Sequence, residues 1–311
     1  MPQGPSLRIT IVTPTLNRRD LLRQALDSVL AQGNPDVEHI VVDGGSVDGT
    51  LEMLAARPGL TVLTDRRRGL YDAINLGIER ARGDVIGLLN SDDLYPAGAF
   101  AAVETGFSGD PDADAVCGRA ELFDETGLVA CYDDPRDLAL DAHAALIGAC
   151  IPNARFFRRR VFDRVGLFSL DYPRVADRDF LCRALMAGIR TAPVASLTYR
   201  YRRHGESLTF AAGAERGEAM RGELLRLARV LESDPRAPSA LKHKARALEG
   251  RCLATLAAGR LASGRAGEAL RLLAIRGGGL SAAPARALAA GILDKLSGRR
   301  PEGPAVGRGK A

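Results

Sequence analysis

Asp92 and Asp93 are adjacent carboxylates directly after the apolar run Val85-Ile86-Gly87-Leu88-Leu89. At the end of a buried strand such a pair repel each other and lose hydration, and something must offset that cost. A hard divalent cation shared with phosphate oxygens is one answer. An Asp-rich turn capping the next helix is the plainer one. Asp43-Gly44-Gly45-Ser46 follows a second apolar run. It reads as a simple turn, or as a carboxylate acceptor for a nucleotide base edge, with glycines that let a ligand approach the backbone. Ser46-x-Asp48 has the form of a helix cap, the role expected of Ser46. Tyr71 and Asn75 stand one helical turn apart and so could face a ligand together. The alternative puts Tyr71 in the core and leaves Asn75 as a cap. Arg66-Arg67-Arg68 is either a solvated charge run or a source of one cation for an anionic ligand.

These residues need elements to hold them. Residues 7–13 are β-branched and apolar and end at Pro14, which predicts a buried strand. Residues 18–31 carry Leu21, Leu22, Ala25, Leu26, Val29 and Leu30 at helical spacing, stopped by Gly33-Asn34-Pro35. Strands at 39–42, 60–63 and 84–89 alternate with helices reaching about 56 and spanning 70–81. Four short strand–helix units predict an α/β fold with a doubly wound, mostly parallel sheet. Ligands of such sheets bind outside the carboxyl ends of the strands. The clusters 13–17, 43–48 and 90–93 all fall there, so the three should converge on one crevice. Short strands and turns are expected over 114–132, and helices over 161–165 and 177–187. After Phe210 the chain turns rich in Ala, Leu and Arg, which predicts three or four helices broken at Asp234-Pro235, Ser263-Gly264 and Gly277-Gly278-Gly279. Residues 259–270 loosely resemble the turn of a tetratricopeptide-type hairpin, in a single weak copy. The Gly/Pro-rich end from about 299 is expected to fray.

The 311 residues suffice for one large domain and a smaller one. The boundary expected is 1–210 for the sheet domain and 211–311 for a basic, all-α region. Residues 1–210 are net acidic, whereas residues 211–311 carry 19 basic and 9 acidic residues. An acidic body excludes nucleic acid as its substrate, because phosphate binding needs clustered Lys and Arg. The basic tail suits either an anionic membrane face or a plain solvated helix surface. No apolar run approaches the ~18 residues of a membrane span. Residues 1–6 lack the parts of a secretion leader, so export by that route is not expected. Five scattered cysteines without a Cys-x-x-Cys pair fit reduced thiols in a cytoplasm, and neither a disulfide frame nor a zinc site. Gly-x-Gly-x-x-Gly and P-loop signatures are both absent.

Taken in order, Ile11-Val12-Thr13-Pro14-Thr15-Leu16-Asn17-Arg18, Val41-Val42-Asp43-Gly44-Gly45-Ser46-Val47-Asp48-Gly49-Thr50 and Gly83-Asp84-Val85-Ile86-Gly87-Leu88-Leu89-Asn90-Ser91-Asp92-Asp93 resemble the family-2 glycosyltransferases of the GT-A fold. Gly69-Leu70-Tyr71-Asp72-Ala73-Ile74-Asn75-Leu76-Gly77-Ile78 and 152–157 are similar to the branch of bacterial polysaccharide and O-antigen transferases. The resemblance spans about Leu7 to Phe210. It implies that Pro14, Thr15 and Asn17 line a nucleotide pocket and that Asp43 accepts from the base imide. By their spacing Tyr71 and Asn75 could face the sugar together, and the resemblance further implies that Asp92 touches ribose and metal, with Asp93 and His204 joining Asp92 as metal ligands. Asp177 matches the acceptor-activating carboxylate, with Asp179 as its substitute. Leu16 stands where a base-stacking aromatic is common, Asn90 where the motif often has its first acid, Gly44 where a second Asp is frequent, and Ala176 where a Glu is usual.

The implied activity is transfer of a single sugar from a UDP-, GDP- or TDP-linked donor to a hydroxyl of a glycan or lipid-linked acceptor, in cell-surface polysaccharide synthesis. Mn²⁺ or Mg²⁺ would neutralise the diphosphate leaving group, and a carboxylate base would take the acceptor proton. One base without a covalent nucleophile implies inversion. The processive Gln-x-x-Arg-Trp element is absent, since the chain has no Trp. The expected setting is the cytoplasm, peripheral on the inner membrane face, with a homo-oligomer left open. Two alternatives stand beside this reading. One is a nucleotidyltransferase, which would need a Gly-rich basic loop where Pro14-Thr15-Leu16-Asn17 stands. The other is a catalytically weak GT-A-like body serving as an interaction module through its helical tail.

Overall fold

Strand β1 (Ile9–Thr15) is buried at every position, as a strand covered on both faces must be. In the computed structural model, which describes residues 7–66, 69–148, 151–205 and 214–274, the chain divides at Ala211/Ala212 into two compact units. The first unit alternates strand and helix: α1 (Arg19–Leu30), β2 (Glu38–Asp43), α2 (Thr50–Ala55), β3 (Leu60–Thr64), α3 (Leu70–Arg80), β4 (Val85–Leu88) and α4 (Ala99–Gly109). It continues through β5 (Ala115–Asp124), β6 (Gly127–Tyr132), α5 (Pro135–Leu138), α6 (Ala142–Leu146), β7 (Arg155–Arg158), α7 (Arg159–Val165), α8 (Ala176–Met186) and β8 (Thr191–Arg202).

The strands form one sheet in the order β3-β2-β1-β4-β7-β5-β6, with β8 on β5. The β3-β2-β1-β4 half is parallel, while β7 runs antiparallel to both β4 and β5. Alternation along β1 sends Ile9 and Ile11 to the face covered by α1 and α4, where Val29, Phe100, Val103 and Phe107 complete the core. Val12 faces the other way, onto α3. A Cβ on Gly77 of α3 would stand 2.3 Å from Val12 Cγ1, so glycine there is what lets the helix lie close against the sheet.

Pro14 does not end the strand. It pairs in register with Val42, while the ladder to β4 stops at Val12 and Leu88. Val12 accepts from the Leu89 N–H and Thr15 accepts from the Gly44 N–H, so even positions of β1 face β4. Pro14 therefore lacks its N–H on the side where β4 has already left the ladder, and the omission costs no bond. Two strands escaped the sequence pattern. The four-residue β7 is too short to show a period, and β8 is broken by Pro193 and by register shifts opposite 117–120.

The second unit holds α9 (Ala214–Ser233), α10 (Ser239–Ala262) and α11 (Ala266–Ala274). Its buried residues include Leu227, Leu231, Leu241, Leu253 and Ala257, and Arg229 Nε pairs with Glu249 Oε1 at 2.9 Å. The breaks at Asp234-Pro235 and Ser263-Gly264 fall between helices as expected. The third break and the frayed end lie outside the described residues. Cys117, Cys131, Cys182 and Cys252 are free thiols, and Cys150 lies outside the described residues. No helix among the described residues is long and apolar enough to cross a membrane.

Candidate functional site

The loops leaving β1 and β2 are fastened to each other. Asn17 takes the left-handed conformation, φ 51°, which an Asn tolerates better than most residues. Its N–H donates to Ser46 Oγ at 2.8 Å and its Oδ1 accepts from the Val47 N–H at 2.8 Å. Ser46 Oγ in turn donates to Asp43 Oδ2 at 2.6 Å, and Asp43 Oδ1 accepts from the Gly45 and Ser46 N–H groups, both at 2.8 Å. Asp43 is fully buried, and three of its acceptor positions serve its own loop. Ser46 is not the cap of α2, because its hydroxyl is taken by this bridge. The N-cap is Gly49, with no side-chain cap bond, and Asp48 before it accepts through Oδ1 from Thr50 N–H at 3.1 Å and from Thr50 Oγ1 at 2.5 Å.

Pro14 lies within the sheet, and Thr15 is 6% exposed with a buried hydroxyl that has no hydrogen-bond partner among the described residues. Buried hydroxyls are normally satisfied, so this one suits a ligand that would supply the partner. Leu16 is half-exposed beside Gly44. Arg66 lies across Gly45, 3.2 Å from where a Cβ would stand. Arg67 and Arg68 lie outside the described residues.

The two carboxylates after β4 have separate environments. Asp93 is fully buried. Its Oδ2 accepts from Tyr199 Oη at 2.7 Å and Asn90 Nδ2 at 3.0 Å, and its Oδ1 accepts from the Arg202 N–H at 2.8 Å. Burial, and then the charge of Asp92, push its carboxyl well above the usual carboxylate range. Asp92 instead reaches outward. Its Oδ2 lies 2.9 Å from His204 Nε2 and 3.3 Å from Arg18 Nη1. The tautomer decides the role of Nε2: protonated, it donates to Asp92, and unprotonated, it accepts from Arg18 and has the lone pair that a cation would need. The structure thus brings Asp92 and His204 together and holds Asp93 apart from them, its carboxylate turned into protein donors.

Among the described residues no three His, Cys, Asp or Glu side chains gather into a ready-made metal cage. One carboxylate and one imidazole nevertheless fit a divalent cation of the kind that keeps several waters and takes its remaining oxygens from phosphate. Asp92 and His204 would be that pair.

Another polar cluster joins α3 and α8. Tyr71 hydrogen-bonds the Asp177 carboxylate, and Tyr201 of β8 lies near enough to act on the Tyr71 phenol. Burial pushes the Asp177 carboxyl up, and the Arg178 charge, the Arg178 N–H and Tyr71 oppose that rise. A carboxyl raised in this way is better matched to taking a proton near neutral pH. Asp179 points elsewhere. Two residues on along a helix it faces nearly the opposite side, and its Oδ2 pairs with Arg183 Nε at 2.8 Å. Asn75 is buried, with Nδ2 donating to Phe168 O at 2.8 Å and Oδ1 accepting from the Phe168 N–H at 2.9 Å. Its amide is a clamp on that backbone and does not share the ligand-facing position expected beside Tyr71. The Phe168 ring, held this way, stacks on Tyr71 at 5.5 Å and on Phe180 at 4.6 Å.

Three residues of this region carried no role in the sequence reading: Arg18, Tyr199 and Arg202. Arg202 Nε donates to Asp92 O at 2.9 Å. The alternation Tyr199-Arg200-Tyr201-Arg202 is a period-two signal that could have revealed their strand.

Residues 10–166 match the family model described as glycosyl transferase family 2, and the chain belongs to that family. It is a glycosyltransferase with a GT-A fold. A relative from Mycobacterium bovis (strain BCG / Pasteur 1173P2), a PGL/p-HBAD biosynthesis glycosyltransferase, is 34% identical over 185 residues, covering 56% of this chain and 68% of its own. Among solved structures, the mannosyltransferase PcManGT from Pyrobaculum calidifontis in complex with GDP-Man and Mn²⁺ is similar at a TM-score of 0.59 and 23% identity, covering 93% of this chain and 81% of that one. S. aureus TarS 1–349 in complex with UDP-GlcNAc is similar at a TM-score of 0.57 and 16% identity, covering 82% of this chain and 73% of that one.

Proposed function

We propose that this family-2 glycosyltransferase moves a single sugar, with inversion, from a nucleotide-diphosphate donor to a hydroxyl of a glycan or lipid-linked acceptor. The observation that carries the reading is the meeting of Arg18, Asp92 and His204 at the carboxyl ends of the strands, where doubly wound sheets bind ligands. Nucleotide-sugar complexes of the similar structures lend the donor class further support.

Thr15, with its unpartnered hydroxyl, and the Asn17–Ser46–Asp43 bridge would hold the nucleoside. Asp43 would act there mainly by fixing the shape of its loop. Asp92 and His204 would hold a divalent cation, Mn²⁺ or Mg²⁺, which when bound supplies Lewis-acid stabilisation to the departing diphosphate. Asp93 would keep Asp92 oriented through Tyr199, Asn90 and Arg202. Asp177 would take the proton of the acceptor hydroxyl as that oxygen attacks the anomeric carbon. Tyr71 would orient Asp177, and Asp179 would brace α8. With one base and no protein nucleophile, a single displacement inverts the anomeric centre.

Residues 1–210 would form the catalytic domain. The basic region 211–311, which holds helices within 214–274, would favour an anionic inner membrane face in polysaccharide synthesis, each Lys or Arg near such a surface contributing about 1 kcal/mol.

The test is release of nucleoside diphosphate from a panel of UDP-, GDP- and TDP-sugars with Mn²⁺ or Mg²⁺. Turnover of one donor that disappears on chelation is the expected result. Turnover unaffected by chelation would refute the metal dependence. Absence of turnover with every donor, alongside tight binding of a protein partner, would favour the interaction-module alternative.

A further inference from the structure

We infer that Arg18 is an internal counter-cation for Asp92, a latch that holds the cation site until a donor diphosphate draws the guanidinium away. This rests on the assignment of Asp92 and His204 as the cation's ligands. Arg18 Nη1 lies 3.3 Å from Asp92 Oδ2 and 3.3 Å from His204 Nε2, so it stands beside both donor atoms at once. Arg18 and Asp92 side chains are 19% and 16% exposed, and charges so sheltered are screened less by water than a surface pair. A divalent cation joining Asp92 and His204 must compete with a guanidinium that touches both, because like charges would then share one carboxylate.

The backbone of Arg18 has little freedom to yield. Asn17 before it is pinned by Ser46 and Val47, and α1 begins directly after it. Release must therefore be a movement of the side chain. The guanidinium also needs an anion to move to, and a diphosphate matches its planar fork of donors.

The position of Arg18 in its helix points the same way. It is the N-cap of α1 and makes no side-chain cap bond. Ser, Thr, Asp or Asn is preferred at a helix start, and a cation there opposes the helix dipole. Local helix stability thus does not account for arginine at 18. An acidic neighbour now and an anionic ligand later do.

The latch makes cation and nucleotide binding cooperative, and by linkage each strengthens the other. Mn²⁺ alone is the first probe, titrated by electron paramagnetic resonance into wild type, Arg18→Met, Arg18→Gln and Asp92→Asn proteins whose circular dichroism matches. Both Arg18 variants should bind Mn²⁺ about three- to fivefold more tightly than wild type, the upper scale of a partly exposed ion pair. Added UDP or GDP should raise Mn²⁺ affinity in wild type, and raise it at least threefold less in the Arg18 variants. Equal or weaker Mn²⁺ binding by the folded Arg18 variants overturns the latch, since an ordinary structural or diphosphate-only role would give that result. If Asp92→Asn binds Mn²⁺ as wild type does, the ligand assignment fails and takes the latch with it. Should Arg18→Met not fold, Arg18→Gln decides alone, and replacement of Arg18 by Lys should restore near-wild-type Mn²⁺ affinity by returning a cation.

Discussion

Tyr199 donates its hydroxyl proton to Asp93 Oδ2 at 2.7 Å across 106 residues of chain. That bond separates two carboxylates that look equivalent in the sequence. Asp93 faces inward to Tyr199, Asn90 and the Arg202 backbone, whereas Asp92 faces Arg18 and His204. Both lie in the turn after β4, closed by the Asp93 N–H donating to Asn90 O at 3.1 Å, and within that turn one carboxylate reaches Arg18 and His204 while the other anchors the loop.

Substitution should therefore separate the two. Asp92→Asn is expected to lower metal-dependent turnover roughly a thousandfold, several kcal/mol of barrier, with little change in melting temperature. Asp93→Asn should instead lose about 1–3 kcal/mol of stability, because an amide nitrogen would meet donors where an oxygen now accepts. Urea unfolding and Mn²⁺ titration of both variants read the difference. Equal stability of the two, with equal loss of Mn²⁺ affinity, would place Asp93 among the metal ligands after all.

Asp177→Asn should cut transfer by about 10²–10⁴-fold and leave binding of nucleoside diphosphate plus metal intact. Tyr71→Phe tests the same carboxylate more gently. Tyr71 holds Asp177 down against the upward push of burial, so its removal raises that carboxyl further. The base works only when deprotonated, so the rising acid limb of the rate–pH profile should move to higher pH. A limb that stays put, measured over pH 4 to 8, would separate Tyr71 from the base.

Much of this arrangement is legible in the chain because it is written in local pattern. The β1–β4 units announce themselves through β-branched runs and helical spacing, and the rule about carboxyl ends then gathers 13–17, 43–48 and 90–93 without further information. What stays hidden depends on pairing across long separations. That Asn75 clamps Phe168, 93 residues away, has no trace in either segment, and its place one turn from Tyr71 suggests a shared outlook that the fold does not give it. Likewise the identity of the outward carboxylate depends on Tyr199 and Arg202 in β8, a strand whose bulges and Pro193 blur its alternation. Arg18 lay inside a quoted motif, yet its contact with Asp92 requires that β1 and β4 be neighbours in the sheet.

Asn75→Ala should prove to be a stability variant before it is a sugar-binding one. It would strip partners from both the N–H and the carbonyl of Phe168, each a buried group that costs about 1–3 kcal/mol when left unsatisfied. The loss expected is on the order of 2–4 kcal/mol, with loosening of the ring stack that connects Tyr71 to Phe180. Thermal melts with and without a bound nucleotide sugar check this. A variant that melts like wild type but binds the donor tenfold more weakly than it binds free nucleoside diphosphate would return Asn75 to the sugar.

The sheet interior also sets an acid limit on the fold. His39 in β2 is 5% exposed, and its Nε2 lies 2.9 Å from Thr13 Oγ1 on β1. Burial lowers its pKa from the ordinary 6.5 to about 3, so the folded chain keeps the ring neutral where an unfolded chain would protonate it. Between those two values the unfolded state binds the extra proton, and linkage then makes stability fall as pH falls. The loss begins near pH 6.5 and reaches about 4–5 kcal/mol by pH 3, at 1.36 kcal/mol for each pH unit. That is a large fraction of the ~5–15 kcal/mol typical of a folded domain. His39→Gln keeps a polar partner for Thr13 and cannot titrate, so its stability should fall less steeply over pH 6.5 to 4 than that of wild type, whatever its starting value. Urea midpoints taken at half-unit pH steps measure the slope, and parallel slopes for the two proteins would show that His39 is protonated without cost.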